Sequence, residues 1–389
     1  MLAPDGTRIH TPAMQRILVL GAGFGGMELC ALLAEGAPGE VDITLIDEAE
    51  GFAFGYSKLD IMFRGVDPDS VFLPYAEYAP PGVNLVRDTI TAIDPAAKTV
   101  TTANGSYEAD ILVIALGSEY DYEATGMTTD DEFYSFEGAA KARDRIAAFR
   151  SGRAVVGVCG APFKCPPAPS ECVLMLHDHL DRAGVRDACE VTLVLPFMTP
   201  VPPSPDTSAA LVEAFEERGI EFVKSTRVSG LDRDRGAVLF QDGGEIPYDL
   251  FLGVPRQRAP EVVRATGLCV DGYIPVDPHT LATSVPGVYA IGDVATQGTP
   301  KAGVFSEGAA RGLAPTLIAQ LRGTGEPGLH AGKGSCYIEF GAGRIGRVDV
   351  DFLSGPAPTG TFVAPSEELR VLKEQFGSHR RARWFGRTA

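Results

Sequence analysis

The chain has 389 residues, 45% hydrophobic and 22% charged, with 45 Gly and 29 Pro, which excludes a disordered, collagen-like or disulfide-scaffold protein and asks for two or three domains of α/β type. The 34 Lys+Arg against 51 Asp+Glu leave a formal net charge of −17, which repels phosphate backbones and argues against a nucleic-acid partner. Seven Cys without a CxxC pair, a polar stretch from Met1 to Met14 and no run of 18 apolar residues point to a reducing, cytoplasmic setting, without a secreted disulfide framework, a zinc site or a membrane span.

The first predicted element is a short apolar strand, Arg16-Ile17-Leu18-Val19-Leu20. It runs into Gly21-Ala22-Gly23-Phe24-Gly25-Gly26 and then into the helix-forming stretch Met27 to Ala34. This is GxGxxG between a strand and a helix. Gly21 permits the tight turn, Gly23 lets backbone amides approach a pyrophosphate, and Gly26 allows close helix–strand packing. A second strand, Val41 to Ile46, ends in Asp47, 21 residues beyond Gly26, where a carboxylate would hold an adenosine ribose hydroxyl and disfavour a 2′-phosphate. The pattern predicts a dinucleotide cradle.

Further along, Tyr107 to Ser118 carries an apolar strand ending at Gly117. Strand Arg153 to Gly160 then enters Ala161-Pro162-Phe163-Lys164-Cys165-Pro166-Pro167-Ala168-Pro169-Ser170-Glu171, and strand Glu190 to Leu195 ends in Pro196-Phe197 with no acid. Prolines lack N–H donors, so this second loop cannot cradle a pyrophosphate as the first does. Cys159 and Cys172 read as core residues, and Cys30, Cys189 and Cys269 as core or incidental. His177 and His179, two apart on a helix, face different directions and read as surface residues, so no metal is assigned. The stretch Leu281 to Asp293 ends in Ala290-Ile291-Gly292-Asp293, Lys301 precedes a predicted helix from Val304 to Leu321, Cys336 follows Gly332-Lys333-Gly334-Ser335, and Gly341 to Phe352 reads as strands joined by glycine turns. His379 to Arg387 holds Arg380, Arg381, Arg383 and Arg387 together with the only Trp, Trp384, and no acid.

These motifs resemble, over nearly the whole chain, the two-dinucleotide-domain flavoproteins, the FAD-dependent pyridine nucleotide-disulfide oxidoreductase superfamily. The resemblance implies that FAD is held by Gly21, Gly23, Phe24, Gly25, Gly26 and Asp47, that Gly117 marks the crossover out of the FAD domain, and that Gly292 and Asp293 belong to the second FAD motif, with Asp293 on the ribityl chain. It also implies that the helix after Lys301 aims its N-terminus at the flavin's pyrimidine edge, where reduction places negative charge, with Lys301 close by as a further cofactor-binding residue. Members that use NAD(P)H carry a second GxGxxG, which the proline loop replaces, so electrons are expected from another donor. Lys164 to Glu171 is similar to the KCPxAPxE segment of sulfide:quinone oxidoreductases and flavocytochrome c sulfide dehydrogenases, and Cys336 matches their second cysteine.

In that branch the two cysteines form a redox-active disulfide over the flavin; sulfide or polysulfide attacks it and two electrons pass to FAD. Lys164 would lower the pKa of Cys165, and Glu171 would move protons. The segment Glu119 to Phe136 has no third cysteine, which departs from some members. The expected architecture is α/β: two Rossmann-like dinucleotide-binding domains, the second degenerate, plus a C-terminal β-rich cap with a tail helix. The FAD domain is placed at 14–118 and 267–322, the second domain at 119–266, and the cap with tail at 323–389.

The tail from Ser366 to Phe385 interleaves Leu369, Leu372, Phe376, Trp384 and Phe385 with basic residues. Two readings stand level: an amphipathic segment on the inner face of an anionic membrane, near a quinone acceptor, or a clamp with Trp384 and Phe385 docked into the protein. Three functions compete. The leading one is an enzyme similar to sulfide:quinone oxidoreductase; the others are an NADH-type or ferredoxin-type flavin reductase, and a flavin-binding protein whose chemistry has lapsed and whose tail recruits a membrane or partner.

Overall fold

A computed structural model describes residues 14–78 and 80–386; the stretch before Met14 and Arg387 of the tail lie outside the described residues. The chain enters with β1 (Gln15–Leu20), α1 (Phe24–Gly36) and β2 (Val41–Asp47), continues through α2 (Ser57–Arg64), β3 (Val83–Arg87) and β4 (Ile111–Ile114), and then builds β5 (Gly152–Val158), α3 (Ala168–Arg182), β6 (Cys189–Val194), β7 (Ile220–Val223) and β8 (Leu250–Val254). It closes with β9 (Val288–Ala290), α4 (Gly303–Arg322), β10 (Lys333–Glu339), β11 (Ile345–Asp351), β12 (Thr359–Val363) and α5 (Glu367–Phe385).

Two parallel sheets organise the molecule. The first has the order β9-β4-β1-β2-β3 and the second β7-β6-β5-β8. Their strands are nearly continuous apolar runs because both faces are buried: helices cover one face of each sheet, and a small antiparallel sheet, residues 90–108 on the first and 228–247 on the second, covers the other. On the first sheet, Met27, Leu29 and Leu33 of α1 pack with Ala310, Leu313 and Leu317 of α4. On the second, Cys172, Val173 and Leu176 of α3 share a core with Phe340 and Val348 of the antiparallel β10-β11-β12 cap. The cap therefore rests on the helical layer that covers the second sheet. His177 and His179 are half-buried, not surface residues, because α3 is sandwiched between that sheet and the cap.

Candidate functional site

The turn after β1 is built by steric necessity. Gly21 has φ +101°, and a Cβ there would lie 2.5 Å from the carbonyl oxygen of Ala115; a Cβ on Gly26 would lie 1.9 Å from that of Gly21. Any larger residue separates α1 from the sheet. A Cβ on Gly23 would meet nothing within 4 Å and would project into the open cradle. Gly23 caps α1 without any side-chain hydrogen bond, so the first-turn amides remain free for an anion. Asp47 is turned toward this loop: its Oδ2 accepts from Ala22 N at 2.6 Å and its Oδ1 from Ala49 N at 2.8 Å. Burial raises its pKa, opposed by those amide bonds.

The cradle opens into a cavity of about 300 Å³. The N-terminal ends of α1, α3 and α4 converge on it through Phe24, Ala168 and Gly303, and Gly25, Gly117, Gly292 and Asp293 also line it. Neither α3 nor α4 has a side-chain cap, so three helix dipoles point their positive ends into one space. Asp293 lies at the bottom, and its Oδ1 is buried without a hydrogen-bond partner. Burial raises the pKa of this carboxyl while Lys164 and Lys301 oppose the rise. A buried orphaned acceptor calls for a donor; a hydroxyl of the ribityl chain of FAD fits that need, and the open cradle at Gly23 fits a pyrophosphate. The residues present thus fit FAD.

Lys301 is not free to touch a cofactor. Its Nζ donates to the Asp293 carbonyl at 2.5 Å and also contacts that of Ala295, and it lies 3.6 Å from the centroid of the Tyr273 ring. Burial pushes its pKa down to about 8. It fixes the backbone of the Asp293 turn instead.

The segment Lys164 to Pro167 forms one wall. Cys165 takes the left-handed conformation with φ +49°, which costs a non-glycine residue about 1–3 kcal/mol. It is held there because its N–H donates to Lys301 O at 2.7 Å and its carbonyl accepts from Ala168 N at 2.9 Å. Cys165 lines the cavity and is exposed to it; the protein around it still desolvates the thiolate and pushes the thiol up, Glu171 and Cys336 push it further, and Lys58 opposes them. Burial likewise pushes Cys336 up to about 12, with Glu171 adding to the rise. Both are free thiols. Glu171, in the first turn of α3, acts electrostatically on both. Its Oε1 accepts from Glu339 N at 3.0 Å, and burial raises its pKa to about 7. The structure therefore brings Cys165, Cys336 and Glu171 together.

Lys164 does not play the expected part. Its Nζ donates to Ser118 O at 2.7 Å and lies 4.9 Å from the centroid of Tyr120, so it ties the crossover segment rather than activating Cys165. The cation acting on that thiol is Lys58 of α2, whose own pKa burial lowers to about 8. Nothing in the sequence marked this isolated lysine. Glu339 was also missed; its carboxylate accepts from Lys373 of α5 at 2.5 Å and from Arg64 of α2 at 2.8 Å, while its backbone amide positions Glu171.

The tail docks. Trp384 is 1% exposed, with its ring centroid 5.8 Å from those of both Phe24 and Phe52. Its Nε1 donates to Glu28 Oε2 at 2.9 Å, and the same oxygen accepts from Arg383 Nε at 2.7 Å. Arg380 pairs with Glu307 on α4. The two aromatic residues that would enter a bilayer are instead buried, Trp384 against Phe24 and Phe52 and Phe385 against Tyr78, and the carboxylates of Glu28 on α1 and Glu307 on α4 pair with the arginines beside them. Trp384→Ala is expected to lower unfolding stability by about 3–5 kcal/mol, measured by denaturant titration; a loss below about 1 kcal/mol would contradict a structural clamp. Among the described residues, no helix is long and apolar enough to cross a membrane, and no group of three or more His, Cys, Asp or Glu could hold a metal.

Comparison with known proteins agrees on the family and divides over the electron donor. The sequence signature described as pyridine nucleotide-disulphide oxidoreductase matches residues 15–310. The mitochondrial sulfide:quinone oxidoreductase of Dictyostelium discoideum is 23% identical over 326 residues, covering 79% of this chain and 70% of the relative. A type II NADH:quinone oxidoreductase of Staphylococcus aureus is 28% identical over 297 residues, covering 67% of this chain and 72% of the relative. Among solved structures, the sulfide:quinone oxidoreductase of Aquifex aeolicus superposes with a TM-score of 0.83 at 20% identity, covering 95% of this chain and 91% of that one.

Proposed function

Since the chain belongs to the pyridine nucleotide-disulphide oxidoreductase family and is an FAD-dependent oxidoreductase, we propose that it oxidises sulfide or a related small sulfur donor through Cys165 and Cys336 and passes the electrons through FAD to a quinone-type acceptor. The observation that carries this reading is that Cys165 and Glu171 line the cavity that fits FAD while Cys336, behind the wall that carries Cys165, acts electrostatically on Cys165 together with Glu171. In this reading residues 14–118 and 267–322 hold FAD, residues 119–266 form a second dinucleotide fold without a nucleotide, and residues 323–389 supply Cys336 and the clamp.

The cofactor, when bound, supplies a two-electron acceptor; the chain's residues do the rest. Gly21, Gly23, Gly25 and Gly26 shape the turn that would admit the pyrophosphate, Phe24 and Gly117 line the cradle, and Asp293 in its Gly292 turn would accept from the ribityl chain. With Cys165 and Cys336 joined as a disulfide, hydrosulfide attacks the Cys336 sulfur. A persulfide forms there, the S–S bond breaks, and Cys165 leaves as thiolate in the wall of the cavity that would hold FAD. Lys58 stabilises that thiolate. Glu171, titrating near neutrality, takes protons from sulfur nucleophiles that burial otherwise keeps protonated.

Lys373 is a positioning residue in this account. Glu171 faces Lys373 of α5, Arg64 of α2 and Glu339 of β10 and acts on Cys165, Cys336, Cys172 and Tyr134. The Lys373 ammonium favours the ionised carboxylate, so Lys373→Met removes that support and raises the pKa of Glu171. The rising limb of the pH–rate profile should move to higher pH by about one unit, whereas a purely structural lysine would lower the rate without moving the limb.

The second reading, reduction by NADH, is favoured by the Staphylococcus aureus relative. Against it stands the loop after β5, where Pro162, Pro166 and Pro167 remove amide donors. The discriminating experiment is steady-state reduction of a short-chain quinone with sulfide or NADH as donor. Sulfide-dependent turnover with negligible NADH turnover is expected; the reverse result would overturn the proposal.

A further inference from the structure

Cys165 and Cys336 line different cavities. The first is the FAD-sized space already described. Cys336 lines a second cavity of about 260 Å³, walled by Pro166, Phe197, Phe305, Val348, Val350 and Phe352. The strip carrying Cys165 and Pro166 is strapped to residue 301 by the Cys165 N–H to Lys301 O bond; it forms the partition, with Ala302 reaching both spaces. The second cavity has one charged lining residue, Lys301, and its ammonium already donates to the carbonyls of Asp293 and Ala295 against the Tyr273 ring.

The chemical consequence follows from desolvation. A carboxylate or sulfonate entering this space finds no free donor, and an unpaired polar or charged group in apolar surroundings is strongly disfavoured. An apolar body gains about 25 cal/mol per Å² covered. A sulfur acceptor reaching Cys336 by this route is therefore selected for lack of charge.

Building on the proposed sulfide chemistry, we propose that the proline-aromatic cavity is the binding site of the sulfur acceptor, and that this acceptor is an uncharged organic thiol rather than an anionic acceptor such as the thiol glutathione or the oxyanion sulfite. The transfer is an exchange without net oxidation. The acceptor thiolate attacks the outer sulfur of the Cys336 persulfide, a new S–S bond forms on the acceptor, the bond between the outer sulfur and Cys336 Sγ breaks, and Cys336 leaves as thiolate. The acceptor departs as R–S–SH once protonated, its own thiol proton having passed to Glu171 or water. Cys165 and Cys336, then both thiolates, would re-form their disulfide by giving up two electrons, which FAD would accept when bound.

The test separates the cavity from the catalytic reading. On reduced holoenzyme, butyl methanethiosulfonate and 2-sulfonatoethyl methanethiosulfonate are compared as labels of Cys336, each rate scaled to a free thiol and read by peptide mass spectrometry. The butyl reagent should react at least about tenfold faster at Cys336, and Phe352→Lys, which places a cation at the cavity wall, should narrow that ratio at least several-fold. Equal scaled rates in the unmodified protein would overturn the proposal whether or not the variant folds. In parallel, sulfide-loaded enzyme is given 1-butanethiol or glutathione, and the organic persulfide is quantified. Faster product with butanethiol supports the assignment, and glutathione matching or exceeding it overturns the assignment. If sulfide leaves no persulfide on Cys336 while the labelling preference holds, the catalytic reading fails, the acceptor role falls with it, and only the cavity's selectivity survives.

Discussion

Cys165→Ser and Cys336→Ser are each expected to lower sulfide-driven reduction of the bound flavin by on the order of 10³-fold or more. A hydroxyl in place of either sulfur removes the disulfide that sulfide must open, and no neighbouring thiol can substitute: Cys172 and Cys159 are fully sequestered, and burial pushes both thiols well up. The double substitution should be little worse than either single one, because the two sulfurs act as one unit. Flavin content should remain near that of the unmodified protein, since the proposed acceptor for the ribityl chain is Asp293 and neither cysteine. Rapid-mixing absorbance and flavin quantification check both halves. Either variant retaining more than about a tenth of the rate would remove the cysteines from the reaction.

Asp293→Ala should produce the largest change in cofactor retention. The substitution deletes the buried acceptor that waits unpaired in the cavity and also leaves Lys164 and Lys301 without the carboxylate that opposes their desolvation. A lost hydrogen bond to a charged group corresponds to about 1.5–3 kcal/mol, or roughly 10- to 100-fold weaker FAD binding. Asp293→Asn keeps an acceptor and should fall between the two. Equilibrium dialysis with FAD measures the series; indistinguishable affinities would mean that Asp293 does not hold the cofactor.

The parts of the site legible in the sequence are those whose constraints are local. Gly21, Gly23 and Gly26 sit in one turn between a strand and a helix, so their spacing carries the steric demand directly. The two-sheet architecture follows from the same logic, since each apolar strand is bounded by its own turn and helix. The placement of Trp384 depended on Glu28, 356 positions away, and the paired acids on α1 and α4 became visible as its partners only after folding. Lys58 and Glu339 were hidden for the same reason: the Arg64–Glu339 contact spans 275 positions. Lys164 illustrates the opposite error, in which adjacency to Cys165 suggested a role although successive side chains around a left-handed residue diverge and its ammonium reaches Ser118.

The central claim is that sulfide, and not NADH, delivers electrons to this flavin through Cys165 and Cys336. Anaerobic rapid mixing of the holoenzyme with each donor, followed at the flavin absorbance band, tests it most directly. Loss of the band with sulfide but not with NADH, abolished by either cysteine substitution, is the predicted result. Rapid bleaching by NADH that persists in both cysteine variants would contradict it.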